Sequence, residues 1–222
     1  MDTYFNNESL QDIINRDIAN FKEWKKKHPG LTIPAEKDDP GNYPSRKWFA
    51  KDILPVGSVV KLSGEPDDTL EFVLSAVGLL ANSNLHTTIC DFTSISGEAV
   101  RTIEKEYGSL VTVYQSSMGI YEILSLASTE GSSLLVINPA KYIFDWRAPE
   151  LKDDLLLSLE KFAESSNMTI LLVVHNYETS IRCHHELNIV DKIKGRGTIN
   201  VESDYCLNGT RVFGKVTDLL SG

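Results

Sequence analysis

Two short apolar runs do most to limit the folds open to this chain. Ser133 to Ile137 (SLLVI) and Met168 to Val174 (MTILLVV) are almost continuously hydrophobic, whereas a strand with one face in water alternates. Between them, residues 150–165 place Leu151, Leu155, Leu156, Leu159 and Phe162 on one helical face. A strand, a helix and a strand of this kind predict parallel pairing in a sheet that is covered on both sides.

The same alternation extends over most of the chain. Further strands are predicted at 57–62, 85–92 and 110–114, and further helices at 69–80, 97–107 and 119–128. The last part has strand signals at 198–201, 205–208 and 211–216, and Asn208-Gly209 is typical of a hairpin turn. The predicted fold is α/β, a mostly parallel twisted sheet with helices on both faces and a C-terminal β-hairpin extension.

An amphipathic helix is predicted ahead of the sheet. Its apolar stripe recurs at three- and four-residue steps, and it includes Leu10, Ile14, Ile18, Phe21 and Trp24. The helix ends in the basic run 25–27, and a Pro- and Gly-rich stretch follows. We therefore divide the chain into an N-terminal helix with its linker (1–43) and a core domain (44–222). The apolar stripe either covers the chain's own core or docks on a partner.

Composition narrows the function classes. The chain has 222 residues and a net charge of −9, which argues against non-specific nucleic-acid binding by bulk charge. Its three cysteines are far apart and odd in number, so we expect reduced thiols and a cytoplasmic location. The cluster Cys183-His184-His185-Glu186 is consecutive, so its side chains cannot all face one ion, and no metal site is predicted.

The turn between the predicted strand at 57–62 and the helix at 69–80 is placed where a phosphate-binding loop would lie. The pattern G-x-x-x-x-G-K-[ST], begun at Gly64, requires Gly, Lys and Ser or Thr where the chain has Thr69, Leu70 and Glu71. Two like charges about 5 Å apart repel by roughly 3 kcal/mol at an effective dielectric of about 20. A helix terminus returns only about 0.3–1 kcal/mol per charge. The carboxylates of Asp67, Asp68 and Glu71 therefore predict that phosphate is repelled, unless a metal ion bridges them to it. Read without reference to phosphate, the same residues form an ordinary turn with acidic residues before a helix.

The order of these parts resembles the RecA-like ATPase fold, and most closely the RepA-like group of plasmid and phage replicative helicase ATPases. The resemblance covers roughly residues 44–215. Residues 44–59 are similar to the family's lead-in, and Leu62-Ser-Gly64-Glu65-Pro66 is similar to the start of its phosphate loop. SLLVINP (133–139) is similar to the strand that carries the Mg²⁺-associated Asp. ILLVVH (170–175) is similar to the strand that ends in the sensor His, and Gly195-Arg196-Gly197-Thr198 to the later turn.

The departures from this family decide the expected function. Thr93 stands near the place of the catalytic Glu, Asn138 replaces the Mg²⁺-associated Asp, and Glu178 replaces a Lys that reaches a neighbour's nucleotide. The resemblance therefore implies a degenerate nucleotide site at Gly64, Glu65, Pro66, Asp67, Asp68, Thr69, Leu70, Glu71, Asn138 and His175. Phosphoryl transfer depends on positioning and charge stabilisation, so these losses predict no ATPase activity and no cofactor.

We therefore expect a non-enzymatic structural or regulatory subunit in DNA replication, recombination or mobile-element biology. Its partner, or a second copy of the chain, is expected to bind the N-terminal helix. One alternative is an active ATPase in which Asp67, Asp68 and Glu71 hold Mg²⁺. Another is an ATP-independent DNA-binding module that uses the local basic residues Arg182, Lys192, Lys194 and Arg196. Without DNA contact, that segment is expected to be a solvated loop.

Overall fold

The main element of the structure is the predicted sheet. The structure is a computed structural model that describes residues 46–92, 97–115, 118–144, 149–175, 181–193 and 196–220, together with residue 19. Its strands are β1 (Trp48–Ala50), β2 (Leu54–Pro55), β3 (Val59–Gly64), β4 (Thr87–Asp91), β5 (Val111–Tyr114), β6 (Leu134–Asn138), β7 (Thr169–His175), β8 (His185–Ile193), β9 (Arg196–Ser203) and β10 (Gly209–Phe213). The helices are α1 (Pro66–Asn82), α2 (Gly97–Tyr107), α3 (Ile120–Thr129), α4 (Lys141–Phe144), α5 (Pro149–Ser166) and α6 (Val216–Leu220), and a 3₁₀ turn spans Gly108–Leu110.

Eight strands form one mixed sheet in the order β10-β9-β8-β3-β7-β6-β4-β5, and β1 and β2 pair separately. The six strands from β8 to β5 run parallel, whereas β9 is antiparallel to both of its neighbours, β8 and β10. The predicted α/β class with a mostly parallel sheet is confirmed. Apart from residue 19, which is helical, the predicted N-terminal helix and its linker lie outside the described residues.

The apolar strands supply both faces of the sheet, because successive side chains point to opposite sides. In β7, Leu171 and Val173 join one core cluster and Ile170, Leu172 and Val174 join the other. The first cluster packs beneath α1, α2 and α6, and the second beneath α3, α4 and α5. This two-sided burial explains why the central strands carry almost no polar residues.

The second face is incomplete at the C-terminal side. The inward residues of β8 to β10, among them Leu187, Ile199 and Phe213, belong to the first cluster only. On the opposite face, Asn188 of β8 lies opposite Asn200 of β9, and Asn200 lies opposite Thr210 of β10. No residue of β8, β9 or β10 belongs to the second cluster, so among the described residues no apolar core packs on the polar face of these strands.

The structure corrects two expectations for the C-terminal part. Residues 205–208 are not a strand, since β9 ends at Ser203 and a loop then leads to β10. Asn208 closes this loop by accepting a hydrogen bond from the Ser203 backbone N–H at 2.6 Å, so Asn208-Gly209 is not a two-residue hairpin turn. Strand β8 is not among the predicted strands, although buried Leu187 and Ile189 alternate with less buried neighbours.

Candidate functional site at the carboxyl edge of the sheet

The carboxyl ends of the parallel strands meet at one edge of the sheet, where ligands bind in open α/β folds. Gly64 ends β3, Asn138 ends β6 and His175 ends β7. Gly64 lies directly opposite His175 in the register of β3 and β7. The structure thus brings together three residues that the sequence assigned to a degenerate nucleotide site.

A hydrogen-bonded chain of side chains crosses this edge. The Nε2–H of His175 donates to Oδ1 of Asn138 at 3.0 Å, because an amide oxygen can only accept. The amide nitrogen of Asn138 in turn donates to Oδ1 of Asp91 at 3.4 Å. Asp91 is buried, ends β4 and lies opposite Asn138 in the register of β4 and β6. The neutral Asn138 therefore connects a buried carboxylate to an imidazole.

Sequence reasoning missed Asp91 as a member of this site. The resemblance places the family's catalytic Glu near Thr93, which, like Glu178, lies outside the described residues. The available signal was an acidic residue at the end of an otherwise uncharged strand, TTICD. A charge in that place is typical of a carboxyl-edge site rather than of the sheet core.

The chain between β3 and α1 is much shorter than a phosphate-binding loop. Helix α1 begins at Pro66, three residues before the predicted start at Thr69, so a single residue, Glu65, separates it from β3. The predicted start at Thr69 is too late because Pro66 is also typical of a turn. Proline is favoured in the first helical turn, where its missing N–H is not needed. Residues 66–71 are helical and do not wrap around a ligand.

The space in front of β3 is also filled. A Cβ atom on Gly64 would lie 3.1 Å from Cβ of Ile189 and 3.3 Å from Cγ2 of Thr69, so β8 and α1 both approach the end of β3 closely. The Thr69 side chain is fully buried, and its hydroxyl lies within hydrogen-bond distance of the carbonyl oxygens of Glu65 and Pro66. The Thr69 hydroxyl and the space beside Gly64 are therefore already occupied by contacts within the fold.

The charges at the start of α1 oppose an anion. Pro66 has no N–H, and the Thr69 N–H donates to the Glu65 carbonyl at 3.0 Å. The remaining amides of the first turn belong to Asp67 and Asp68, whose carboxylates already occupy the positive end of the helix dipole. Leu70 and Glu71, half-buried in the next turn, add no cation.

No protein-family model matches the chain. No curated protein is significantly similar to it either. Among the described residues, no helix is both long and apolar enough to cross a membrane. The functional conclusion therefore depends on the residues of the site.

The four basic residues proposed for DNA contact do not form one cluster. Arg182 precedes β8 and is exposed, whereas Lys192 lies near the other end of that nine-residue strand. Strands rise by about 3.3 Å per residue, so roughly 30 Å separates the two ends. Arg196 begins β9 opposite Ile193, and Lys194 lies outside the described residues.

The consecutive residues 183–186 point in different directions, as expected for a strand. The described residues contain no group of three or more His, Cys, Asp or Glu side chains suited to a metal ion. His184 is half exposed, and its Nδ1 lies 2.7 Å from Oδ2 of Asp204. His185 is fully buried and stacks on Tyr205, with ring centroids 6.1 Å apart.

His185 is held neutral by its hydrogen bonds and its burial. Its Nε2–H donates to the Ile53 carbonyl at 2.9 Å, so Nδ1 accepts from the Ser203 hydroxyl at 2.6 Å. Burial lowers the pKa of His185 from 6.5 to about 4, and the nearby Arg46 guanidinium acts in the same direction. The hydrogen bond to Ile53 and the charge of Asp52 oppose this shift only partly.

A mostly buried ion pair joins β3 to β8 at the residue after His185. Nζ of Lys61, on β3, is 2.7 Å from Oε2 of Glu186, on β8, and each side chain is 13% exposed. Lys61 also donates to the Ile181 carbonyl at 2.9 Å, and the Cys183 N–H donates to the second oxygen of Glu186 at 2.9 Å. The pair therefore joins β3, β8 and the segment before β8.

Proposed function

We propose that this chain is a pseudo-ATPase, a RecA-like domain that has kept its fold, lost nucleotide binding and acts as a structural or regulatory subunit. The mostly parallel sheet, the helices on both of its faces and the C-terminal strands added beyond β3 support the RecA-like part of the proposal. The motifs of the degenerate site follow the order of the resembling family, but the phosphate loop and the strand that ends in Asn138 lack the residues that their chemistry requires.

One observation is the main support for the loss of nucleotide binding. A single residue, Glu65, separates the end of β3 from the start of α1. A phosphate loop binds by pointing several backbone N–H groups and a Lys at the phosphates. Here the corresponding residues are helical, Gly64 is packed against Ile189 and Thr69, and the first turn carries Asp67 and Asp68. Within the part of the chain that the structure describes, the connection between β3 and α1 offers neither the donors nor the space.

The polar chain across the carboxyl edge supports the same proposal. Mg²⁺ prefers carboxylate oxygens together with phosphate and water. Asn138 contributes a neutral amide, and its oxygen is already bonded to His175 while its nitrogen faces Asp91. We assign these residues a structural role, in which they satisfy one another at the ends of β4, β6 and β7.

A thermal-shift measurement tests the loss of binding. A nucleotide present at about 100 times its Kd stabilises a protein by about 2.7 kcal/mol. In a domain of this size that raises Tm by roughly 5–10 °C, since 1 kcal/mol corresponds to about 2–4 °C. We expect no change of Tm with millimolar ATP or ADP, with or without Mg²⁺. A Mg²⁺-dependent rise would contradict the proposal.

The alternative of an atypical active site makes a separable prediction. If Asp67, Asp68 and Glu71 held Mg²⁺, a nucleotide-dependent rise in Tm would vanish in the D67N/D68N/E71Q variant. If the proposal is correct, this variant and the unchanged protein both fail to respond. Loss of the first-turn charges is then expected to lower stability by only about 0.3–1 kcal/mol per charge.

We propose that the subunit works in DNA replication, recombination or mobile-element biology, and that it binds a protein partner or a second copy through the N-terminal helix. The apolar stripe of that helix supports a docking role. The free thiols of Cys90, Cys183 and Cys206 support a cytoplasmic setting. The change L10S/I14S/F21S is expected to abolish assembly in sedimentation velocity while the circular dichroism of the core persists. Assembly that survives with an intact core would refute the docking role.

A further inference from the structure

The loop that joins β9 to β10 contains the only Asn-Gly pair of the chain, Asn208-Gly209. In such a pair the backbone nitrogen of the glycine lies next to the side-chain amide carbon of the asparagine, and no side chain on the glycine shields that nitrogen. The nitrogen can therefore attack the amide carbon and expel ammonia. In a folded protein the reaction depends on whether the pair is exposed and on how firmly its backbone is held.

The structure leaves this pair open. Both residues are exposed, and Asn208 lies in the loop, directly before the first paired residue of β10. Among the described residues, no atom lies within 4 Å of a Cβ atom built on Gly209, so the approach to its nitrogen is not crowded. Within the described sheet, β10 is an edge strand that pairs with β9 only, so Gly209 is held from one side.

The side-chain amide of Asn208 is also polarised. Its Oδ1 accepts a hydrogen bond from the backbone N–H of Ser203 at 2.6 Å. Attack on the amide carbon moves negative charge onto this oxygen, and a backbone N–H held at that point stabilises the charge, as donors in an oxyanion hole do. The hydrogen bond that closes the loop therefore favours the reaction.

Asparagines within the sheet lack these conditions. Asn188 and Asn200 lie inside β8 and β9, where each strand is paired on both sides, and the residue after each asparagine is buried and β-branched. Asn138 precedes a proline, whose nitrogen carries no hydrogen to lose. Asn200 is therefore an internal reference for Asn208 within the same pair of strands.

We propose that Asn208 deamidates spontaneously in the folded protein. The nitrogen of Gly209 gives up its proton to water or hydroxide and bonds to Cγ of Asn208. The bond from Cγ to Nδ2 breaks as Nδ2 takes up a proton and leaves as ammonia. Water then opens the cyclic imide, at Cγ to give aspartate or at the main-chain carbonyl carbon to give isoaspartate. The reaction requires neither an enzyme nor a nucleotide, so it is independent of the proposed function.

The two products affect these strands differently. Aspartate keeps an oxygen that accepts from the Ser203 N–H. Isoaspartate lengthens the main chain by a carbon atom directly before Gly209, whose partner in the register is Val201. We therefore expect isoaspartate to loosen the edge strand β10, whereas aspartate leaves its pairing in place.

Deamidation also changes an open cleft that Asn208 lines. The cleft has a volume of about 660 Å³, and its other walls include Glu202, Asp204 and the ion pair of Lys61 with Glu186. Because the cleft is open, water for the hydrolysis reaches Asn208. Either product adds a carboxylate near those of Glu202 and Asp204, so the cleft becomes more acidic as the protein ages.

Mass spectrometry of the full-length protein after incubation at neutral pH and physiological temperature tests the proposal. Trypsin releases residues 197–211 as one peptide, because Arg196 and Arg211 flank a segment without lysine or arginine. Fragment ions then compare Asn208 with Asn200 in the same molecule, and a sample digested before incubation corrects for reaction during the digest. We expect acid to accumulate at Asn208 and not at Asn200. An unchanged Asn208, or equal conversion of both residues, would overturn the proposal.

The variant G209A tests the route. Its methyl group shields the attacking nitrogen and fits the open space beside residue 209, so the fold should be retained. We expect conversion of Asn208 to slow by about tenfold, which corresponds to about 1.4 kcal/mol in the barrier. The control L207A removes an exposed side chain of the same loop and should convert at the parent's rate. Equal rates in all three proteins would contradict this route.

A synthetic peptide of residues 197–211 shows whether the folded loop itself reacts. If Asn208 reacted only after global unfolding, its rate in the protein would be about 10³-fold or more below its rate in the peptide. We expect the two rates to agree within about tenfold, because the pair is exposed and the approach to Gly209 is open. A larger reduction would mean that the fold protects Asn208 and would overturn the proposal.

Discussion

Replacing Lys61 with methionine is expected to lower the free energy of unfolding by about 3 kcal/mol, near the lower end of the range for breaking a buried ion pair. Methionine retains most of the length of the side chain but provides no donor. Glu186 then keeps one hydrogen bond, from the Cys183 N–H, in a place where its side chain is only 13% exposed. The adjoining cleft admits water, which is why we expect less than the full penalty.

The expected loss of stability in K61M comes from the unpaired carboxylate of Glu186 rather than from the lost attraction between the two charges. Replacing both partners, as in K61M/E186L, removes the buried charge and is expected to restore most of the stability. Urea unfolding of the single and double variants yields the coupling energy through a double-mutant cycle. The matched control K51M changes an exposed lysine and should stay within about 0.5 kcal/mol of the parent. A double variant no more stable than K61M would refute this explanation.

Acid is expected to destabilise the protein through His185. Its pKa is about 4 in the folded chain and 6.5 when unfolded, so the unfolded state binds more protons between these values. Stability is therefore fully present above pH 6.5 and is lost as the pH falls from 6.5 to 4. A pKa difference of that size corresponds to roughly 3 kcal/mol, because each pKa unit is worth about 1.4 kcal/mol.

The variant H185Q isolates this contribution from that of the carboxylates. Glutamine can donate to the Ile53 carbonyl and accept from Ser203 as the neutral histidine does, but it does not titrate. We expect chemical denaturation between pH 7 and pH 4 to show a loss about 3 kcal/mol smaller in H185Q than in the parent. Parallel profiles for the parent and H185Q would contradict the assignment.

Patterns set by burial could be predicted from the sequence with little error. The run MTILLVV became β7 within one residue, because only a strand buried on both faces can use so many apolar residues in succession. Helix α2 has the predicted bounds, and α3 and α5 differ from prediction by one residue at each end. In these segments local preference and tertiary packing favour the same structure.

The features that failed depend on contacts distant in sequence. Strand β8 is weakly apolar, and its pairing with β3 and β9 decides its conformation. The partnership of Asp91, Asn138 and His175 requires the order β7-β6-β4, which no single segment reveals. The start of α1 was missed because Pro66 favours both a turn and a first helical turn, and packing of Gly64 against Ile189 selects the shorter connection.

Calorimetric titration of the full-length protein with ATP and with ADP, each with and without Mg²⁺, tests the pseudo-ATPase proposal most directly. The one-residue connection between β3 and α1 predicts no saturable heat up to millimolar nucleotide. Micromolar, Mg²⁺-dependent binding would contradict the proposal. It would mean that a metal ion overcomes the repulsion of Asp67 and Asp68, and that the start of α1 is an active site.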